Sequence, residues 1–291
     1  MFLDKFSSLQ PNMRGAIFVV LGTLFFVFTD IMVKLIGDRI HPAQMAIFRY
    51  TIGFLLLVPL FARTGREKLQ SKRIKLHFFR AILASLGQAG IFYAVIHLPL
   101  ADATAMTFTR PLFLTILAIF ILKEVVGIQR WSATIFGFLG VIVMMRPFTG
   151  EVDIAWFVAL FTAFLFASGL IIIRFLARED PPGTILFWYH IFGIIIFAGP
   201  AAYVWVNPTS IEWIQLFLIA TFTAIGMNFF VRGFSVGESS LMGTMEYIRL
   251  VFAAAAGYLI FLEIPDIWTW VGALIIVLAT LYITRFEANQ S

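Results

Sequence analysis

Long apolar stretches alternate with short polar segments along the whole chain, and this pattern predicts ten membrane-spanning helices. A helix needs about 20 apolar residues to cross the hydrocarbon core of a bilayer. Each stretch is close to that length, and prolines fall in several of the connections, where they end helices. We place the helices at Gly15–Gly37, Ala43–Ala62, Leu76–Leu98, Ala101–Leu122, Gln129–Arg146, Ile154–Ala177, Gly183–Val206, Glu212–Ser235, Ser239–Leu262 and Ile267–Arg285.

The composition agrees with an all-α integral membrane protein. Of the 291 residues, 61% are hydrophobic and 13% are charged, whereas a soluble domain is about half apolar and about a quarter charged. This excludes a typical cytosolic enzyme, a nucleic-acid-binding domain and a disordered chain. The absence of cysteine excludes disulfides, thiol catalysis and cysteine-bound metals. The first segment is too long for the core of a signal peptide, so we interpret it as a retained span.

The distribution of Lys and Arg predicts the orientation, because cytoplasmic loops carry an excess of these residues. With the N-terminus inside, the outer connections hold only Arg39 and Arg146. The chain is therefore expected in a bacterial inner membrane, with both termini on the cytoplasmic side and the basic loops against anionic lipid. The residues assigned to the inner side are Lys5, Arg14, Arg63, Arg66, Lys68, Lys72, Arg73, Lys75, Arg80, Lys123, Arg130, Arg174, Arg178, Arg232 and Arg285.

The two halves of the chain repeat each other at an offset of 139 to 140 residues. Each half holds five predicted spans, an odd number, so the second half enters the membrane from the opposite side. Such inverted repeats are typical of secondary transporters, whose two similar halves exchange inward-open and outward-open shapes. The matched positions are Lys34 with Arg174, Pro42 with Pro182, Gly53 with Gly193, Arg110 with Arg249, Glu124 with Glu263, and Trp131 with Trp270.

The sequence resembles a drug/metabolite transporter of the EamA type, with one repeat over residues 14–147 and a second over 152–286. The resemblance implies ten helices around a central cavity, with the fifth and tenth helices peripheral, and transport of a small metabolite without ATP. It does not identify the solute. It is carried by Asp30-Ile-Met-Val-Lys34, His41-Pro42, Arg49, Ala101-Asp-Ala-Thr, Arg110-Pro111, Lys123-Glu124, Trp131, Gly137, Glu246-Tyr-Ile-Arg249, Gly257-Tyr258, Glu263-Ile-Pro-Asp266 and Gly272.

Two arginines near the middle of the membrane are the first candidates for the solute site. Arg110 and Arg249 lie about half-way along their spans, where a charge is costly unless it faces a cavity or a partner. A guanidinium binds carboxylate or phosphate in bidentate fashion. Glu246, three residues before Arg249, offers either a structural ion pair with it or a carboxylate for proton coupling. Pro111 predicts a break in the fourth helix beside this site.

Three further charges lie within the first two spans. Asp30 and Lys34 stand four residues apart on one helix face, which predicts an ion pair between them. Asp30 is also a candidate for ion coupling, and Lys34 is close enough to the helix end to extend towards water. Arg49 reaches either the interface or the cavity, and the sequence does not choose between the two.

Aromatic and amide side chains inside the spans are candidates for contact with a flat solute. For each of them, packing or anchoring at the interface is an equally ordinary role. The ring-bearing candidates are Tyr93, Trp188, Tyr189, His190 and Tyr247, and the amides are Asn228 and Gln88.

Three classes of membrane protein are considered for this sequence: a secondary transporter, an integral-membrane enzyme and a channel. A phosphate-binding loop, a His-Glu-x-x-His motif and clustered metal ligands are absent from the sequence, so no catalytic residue, cofactor or metal is expected. An integral-membrane enzyme would need polar clusters at one face, and a channel would need a ring of charges or a carbonyl filter. The inverted repeat favours a secondary transporter, monomeric or homodimeric and with no nucleic-acid partner.

The charges inside the spans sum to a small positive excess, which favours an anionic or zwitterionic solute. The first hypothesis is export of an amino acid or a similar metabolite, with protons as a candidate coupling ion. The alternative is uptake of a vitamin, a nucleoside-like compound or an organic anion. The sequence does not determine the direction of transport.

Overall fold

A computed structural model describes residues 10–64, 69–123, 127–146, 153–237, 242 and 245–288. Within these ranges the chain is almost entirely helical and has no strand, which confirms the predicted all-α fold. The helices are α1 Pro11–Ile36, α2 Pro42–Thr64, α3 Ile74–His97, α4 Leu100–Thr107, α5 Arg110–Leu122, α6 Ile128–Met145, α7 Ile154–Leu176, α8 Pro182–Tyr203, α9 Ser210–Val236, α10 Ile248–Phe261 and α11 Ile267–Ala288.

Within the described residues, seven helical spans are long and apolar enough to cross a membrane, and three shorter apolar helices bring the number to ten. The helix starts follow local chemistry. Pro11 and Pro182 occupy first-turn positions, where the missing N–H leaves no bond unmade. At the start of α9, the Thr209 hydroxyl accepts from the Glu212 amide, and the Glu212 carboxylate accepts from the Thr209 amide, which forms a capping box.

The fourth predicted span is two helices, α4 and α5, separated at Phe108 and Thr109. Pro111 has no N–H to donate to the carbonyl of Thr107, so the α-helix cannot continue through this point. The Thr109 hydroxyl bonds instead to the Met106 carbonyl at 2.7 Å. The prediction of a break was right, and the break lies immediately before Arg110.

The second repeat has the equivalent interruption. Residues 245–246 are helical, Tyr247 is a turn, and α10 then begins at Ile248, one residue before Arg249. The predicted start of this span, near Ser239, lies outside the described residues. The rings of Phe108 and Tyr247, which are repeat equivalents, meet edge to face at 4.8 Å between centroids. The two broken helices therefore touch each other through their break points.

The first helix of each repeat packs against a helix of the other repeat. Helix α1 packs on α9 of the second repeat, and α7 packs on α3 of the first. A Cβ on Gly226 would lie 3.0 Å from the Phe26 ring, and a Cβ on Gly87 would lie 2.8 Å from the Phe166 ring. These two glycine–phenylalanine contacts occupy equivalent positions in the two repeats. The packing thus reproduces the internal symmetry of the sequence.

Small residues also bring the remaining helix pairs together. Helices α2 and α8 cross where Gly53 faces His190 and Gly193 faces Tyr50, again at equivalent positions. Helices α6 and α11 approach closely enough that a Cβ on Gly140 would lie 2.8 Å from the Gly272 carbonyl oxygen. Such close backbone approach is the usual mode of helix association in membranes.

The two ends of the bundle are named here by the residues that they contain. The near end contains Gln10, Arg73 and Glu179, and the far end contains Arg39 and Asp266. Each helix or broken helix runs between them, and consecutive spans alternate in direction.

Candidate solute-binding site

A cavity of about 450 Å³ lies inside the bundle. Its walls come from α2, α3 and α5 of the first repeat and from α7, α8 and α9 of the second. The lining extends from the level of Arg110 towards the near end of the bundle. Its polar or ring-bearing side chains are Arg49, Arg80, Gln88, Arg110, Phe166, Tyr189, His190, Thr223, Asn228 and Arg232.

The structure brings together only part of the predicted site. Arg49, Arg110 and Asn228 line the cavity. So do Gln88, Tyr189 and His190, which the sequence offered as further candidates. The other predicted side chains are not part of the cavity lining: Asp30, Tyr93, Trp188, Glu246, Tyr247 and Arg249.

Arg49 lies where α2 and α8 cross. Its guanidinium donates to the Tyr189 hydroxyl at 3.2 Å and stacks over the Tyr50 ring at 5.2 Å from the centroid. Arg49 and Tyr189 are repeat equivalents, so this bond joins the two halves near the symmetry axis. Of the two positions left open for Arg49, the structure places it in the cavity.

Arg80 is a cavity residue that sequence reasoning missed. The sequence assigns it to the cytoplasmic side, because it lies only one turn into its predicted span. In the structure its side chain is buried, at 8% exposure, and stacks over the Tyr189 ring at 5.0 Å. An arginine placed inside an apolar segment rather than before it was the available signal.

Arg110 begins α5 at the helix break and borders the cavity. Its guanidinium lies 3.4 Å from the Glu246 carboxylate, and both side chains are partly exposed. Of the two roles left open for Glu246, the ion pair with Arg249 is not formed, because Glu246 lies beside Arg110 and Arg249 pairs with Asp30. The reason is the contact between the two broken helices, which places Glu246 across from the opposite repeat's arginine.

Arg249 pairs with Asp30 on α1 at 2.8 Å and lies 5.7 Å from the centroid of the Phe26 ring. Both side chains are largely buried. Asp30 was expected to pair with Lys34, one turn further along α1. Because Asp30 is deeper in the bundle, it meets α10 rather than the helix end.

Lys34 closes the far end of the bundle. Its ammonium lies 2.6 Å from the Glu263 carboxylate and also donates to the backbone carbonyls of Val95 and Leu98. Glu263 accepts a further bond from the Leu100 amide at 2.8 Å. This network binds α1 and the connection into α4 to the loop that precedes α11.

Two more ion pairs join the repeats at the far end. Arg39 donates to both carboxylate oxygens of Glu212 at 2.6 and 2.7 Å. Arg146 pairs with Asp266 in the loop before α11. Partial burial acts to raise the pKa of Asp266, but the Thr269 amide and the Arg146 guanidinium outweigh it and lower that pKa below its usual value.

The near end is held by contacts of a different kind. Arg73 pairs with Glu179, and Asp180 accepts bonds from Ser71 at 2.7 Å and shares one with His77 at 2.9 Å. The Trp188 indole donates to the Leu69 carbonyl at 2.9 Å, which explains why Trp188 is directed away from the cavity.

Tyr93 on α3 is another predicted candidate that lies outside the cavity lining and contacts far-end groups. The ring of Tyr93 stacks on His97 at 4.0 Å, and His97 lies 3.3 Å from Asp38. Among the described residues there is no cluster of three His, Asp or Glu side chains that could hold a metal ion.

A bundle of apolar helices built from two inverted repeats around a central cavity is typical of multi-pass membrane transporters. The model of the EamA-like transporter family matches residues 13–146 and again 153–285. The chain therefore belongs to the EamA-like transporter family, which confirms the resemblance drawn from the sequence.

Curated relatives cover nearly the whole chain. An S-adenosylmethionine uptake transporter of Rickettsia prowazekii is 31% identical over 97% of this chain and 96% of its own length. A riboflavin transporter of Vibrio cholerae is 26% identical over 96% and 95%. A pseudopaline exporter of Pseudomonas aeruginosa is 26% identical over 93% and 96%.

A solved crystal structure supports the fold. It superposes with a TM-score of 0.64 at 15% identity and covers 94% of this chain and 98% of its own. The relatives are named as transporters, so the chain is a multi-pass membrane transporter of a small-molecule solute.

Proposed function

We propose that this chain is a secondary transporter that moves a small metabolite by alternating access of the central cavity. The observation that carries the proposal is the cavity itself, which lies between the two repeats and borders the middle of the bundle. Transporters with inverted repeats bind their solute at this place.

The arrangement of ion pairs supplies a gating mechanism. At the far end, Lys34–Glu263, Arg39–Glu212 and Arg146–Asp266 each join the first repeat to the second. Opening this end requires these pairs to separate, while the contacts around Arg73 and Asp180 rearrange at the near end. We assign the near end to the cytoplasm, in line with the excess of Lys and Arg there.

The lining of the cavity supports an anionic or zwitterionic solute with a flat ring. Arginines supply positive charge, Gln88 and Asn228 supply amide hydrogen bonds, and Phe166 and Tyr189 supply ring faces. S-adenosylmethionine and riboflavin, after which two relatives are named, both contain a flat heteroaromatic ring. We therefore propose uptake of a metabolite of this shape as the first candidate function.

Export of an amino acid-like metabolite is the second candidate. It is favoured by the relative named as a pseudopaline exporter, which covers 93% of this chain. Protons are the proposed coupling ion in either direction. Glu246 is the better placed of the two proposed carboxylates, because it lies beside Arg110 at the edge of the cavity.

Reconstitution in liposomes tests the proposal. Labelled S-adenosylmethionine and riboflavin are assayed first, with and without a pH gradient and without ATP. A solute gradient alone should drive uptake to equilibrium, at a rate that saturates with solute concentration. The matched control is Arg178→Gln, which removes one exposed charge outside the cavity and should leave transport unchanged.

A further inference from the structure

Arg80 carries a buried charge that the protein leaves largely uncompensated. Its side chain is more than nine-tenths buried, and its Nε atom has no hydrogen-bond partner. One Nη1 contact reaches the Ile185 carbonyl at 3.4 Å, near the limit of a hydrogen bond. Asp180 is on the same side of the bundle, but it is engaged by His77 and Ser71.

Arg49, on α2, is in the same situation. Its hydrogen bond goes to the hydroxyl of Tyr189, and its second contact is the face of the Tyr50 ring. Arg80 stacks on that same Tyr189, so one phenol ring lies between the two guanidinium groups. In the part of the chain that the structure describes, neither arginine has an ion pair with a carboxylate.

Three other cations that are half-buried inside the spans differ in this respect. Arg249 has Asp30, Arg110 has Glu246 and Lys34 has Glu263. A buried charge without a counter-ion destabilises the folded state unless something else neutralises it. The two exceptions both line the cavity, so the missing negative charge is expected to come from a ligand.

We propose that Arg49 and Arg80 form a subsite for the anionic group of the solute, either a carboxylate or a phosphate. This inference rests on the proposed function, because it takes the cavity as the solute site. Each guanidinium presents a planar fork of donors that matches both oxyanions. Tyr189 holds the two forks in place. The rest of the solute extends towards Arg110 and Asn228, and the Arg249–Asp30 pair has a structural role.

Small aromatic probes test the subsite without knowledge of the solute. Benzoate carries a carboxylate on a ring, and benzamide has the same shape without the charge. Thermal unfolding of the full chain is followed in a neutral detergent at constant ionic strength, with inorganic phosphate as a third probe. Benzoate or phosphate should raise the unfolding temperature of the unmodified protein, while benzamide should not.

Variants then locate the effect. Arg80→Met should weaken benzoate binding by about tenfold or more, which is the loss expected for one charged hydrogen-bonding partner. The same change should raise the unfolding temperature of the ligand-free protein by about 2 °C or more, because a buried charge is removed. Arg80→Lys keeps the charge and should keep part of the binding. Arg178→Gln should behave as the unmodified protein.

Two results would overturn the subsite. One is an unmodified protein that neither anion stabilises, and the other is an Arg80→Met variant that binds benzoate as before. Transport separates this failure from failure of the proposed function. If liposomes take up a solute equally well with Arg80→Met, the subsite is wrong and the transporter stands. If anions bind at Arg80 but no solute moves, the subsite stands and the transport proposal fails.

Discussion

Arg249 donates a hydrogen bond to Asp30 across 2.8 Å and so joins α10 of the second repeat to α1 of the first. Both side chains are largely buried, and the Nε of Arg249 has no further partner. The pair is therefore a charged link between the repeats, placed directly after the break in the second repeat.

Removing one partner of this ion pair should lower the stability of the folded protein far more than removing both. Asp30→Asn leaves Arg249 buried without a counter-ion and should destabilise the protein by about 3 kcal/mol or more. The double variant Asp30→Asn with Arg249→Met should recover part of that loss. Thermal unfolding of the four proteins gives the coupling energy, and strictly additive effects would contradict the pair.

Solute binding by the same double variant separates two roles for Arg249. The structure places Arg249 outside the cavity lining. A double variant that is stably folded should therefore bind solute with near-normal affinity. If binding is abolished while stability recovers, Arg249 contacts the solute, as the sequence alone suggested.

Weakening the Lys34–Glu263 pair should open the far end more often. The chain has no cysteine, so a single Leu98→Cys change provides a specific label site next to Lys34. Leu98 is buried at the far end. A membrane-impermeant maleimide should react about fivefold faster when Glu263→Gln is added, as expected for a loss of about 1 kcal/mol. An unchanged labelling rate would exclude this pair as a gate.

The contact between α1 and α9 should be sensitive to a single methyl group. A Cβ on Gly226 would lie 3.0 Å from both the Gly22 carbonyl oxygen and the Phe26 ring. Gly226→Ala should therefore destabilise the protein by about 1 to 3 kcal/mol. Gly199→Ala is the matched control, because no atom lies within 4 Å of its added Cβ. Equal unfolding temperatures for the two variants would contradict the packing.

Acid should loosen the far end through Asp266. The pKa of this carboxyl is lowered in the folded state, so its stabilising effect is present above the usual Asp value and is lost as pH falls through the lower value. As pH is lowered to about 3, the unfolding temperature should fall more steeply for the unmodified protein than for Asp266→Asn. Parallel curves would mean that the pair with Arg146 does not contribute.

The helices and their inverted order were predictable because each follows from local sequence. About 20 apolar residues define a span wherever they occur, and matched positions such as Gly53 and Gly193 expose the repeat. Both glycines then proved to be contact points of α2 and α8. The break beside Arg110 was predictable for the same reason, since Pro111 acts within one turn.

The partners of the charges were not predictable, because packing between distant helices decides them. The spacing of Asp30 and Lys34 favours an ion pair on α1, yet their partners Arg249 and Glu263 are more than 200 residues away in the chain. The sequence did not identify Arg80 as a cavity residue, because Arg80 lies so close to the predicted start of its helix that it is grouped with the charges of the preceding loop. Only the position of Tyr189 on α8 reveals that Arg80 faces the cavity.

Solute exchange in liposomes tests the central claim most directly. A thermal-shift screen of flat metabolites that carry a carboxylate or a phosphate, with S-adenosylmethionine included, selects the strongest stabiliser for labelling. Liposomes that contain the unmodified protein and are loaded with unlabelled solute should accumulate the labelled form without ATP, and Arg80→Met should reduce this accumulation by about tenfold. Failure of the unmodified protein to exchange any stabilising solute would contradict transport through this cavity.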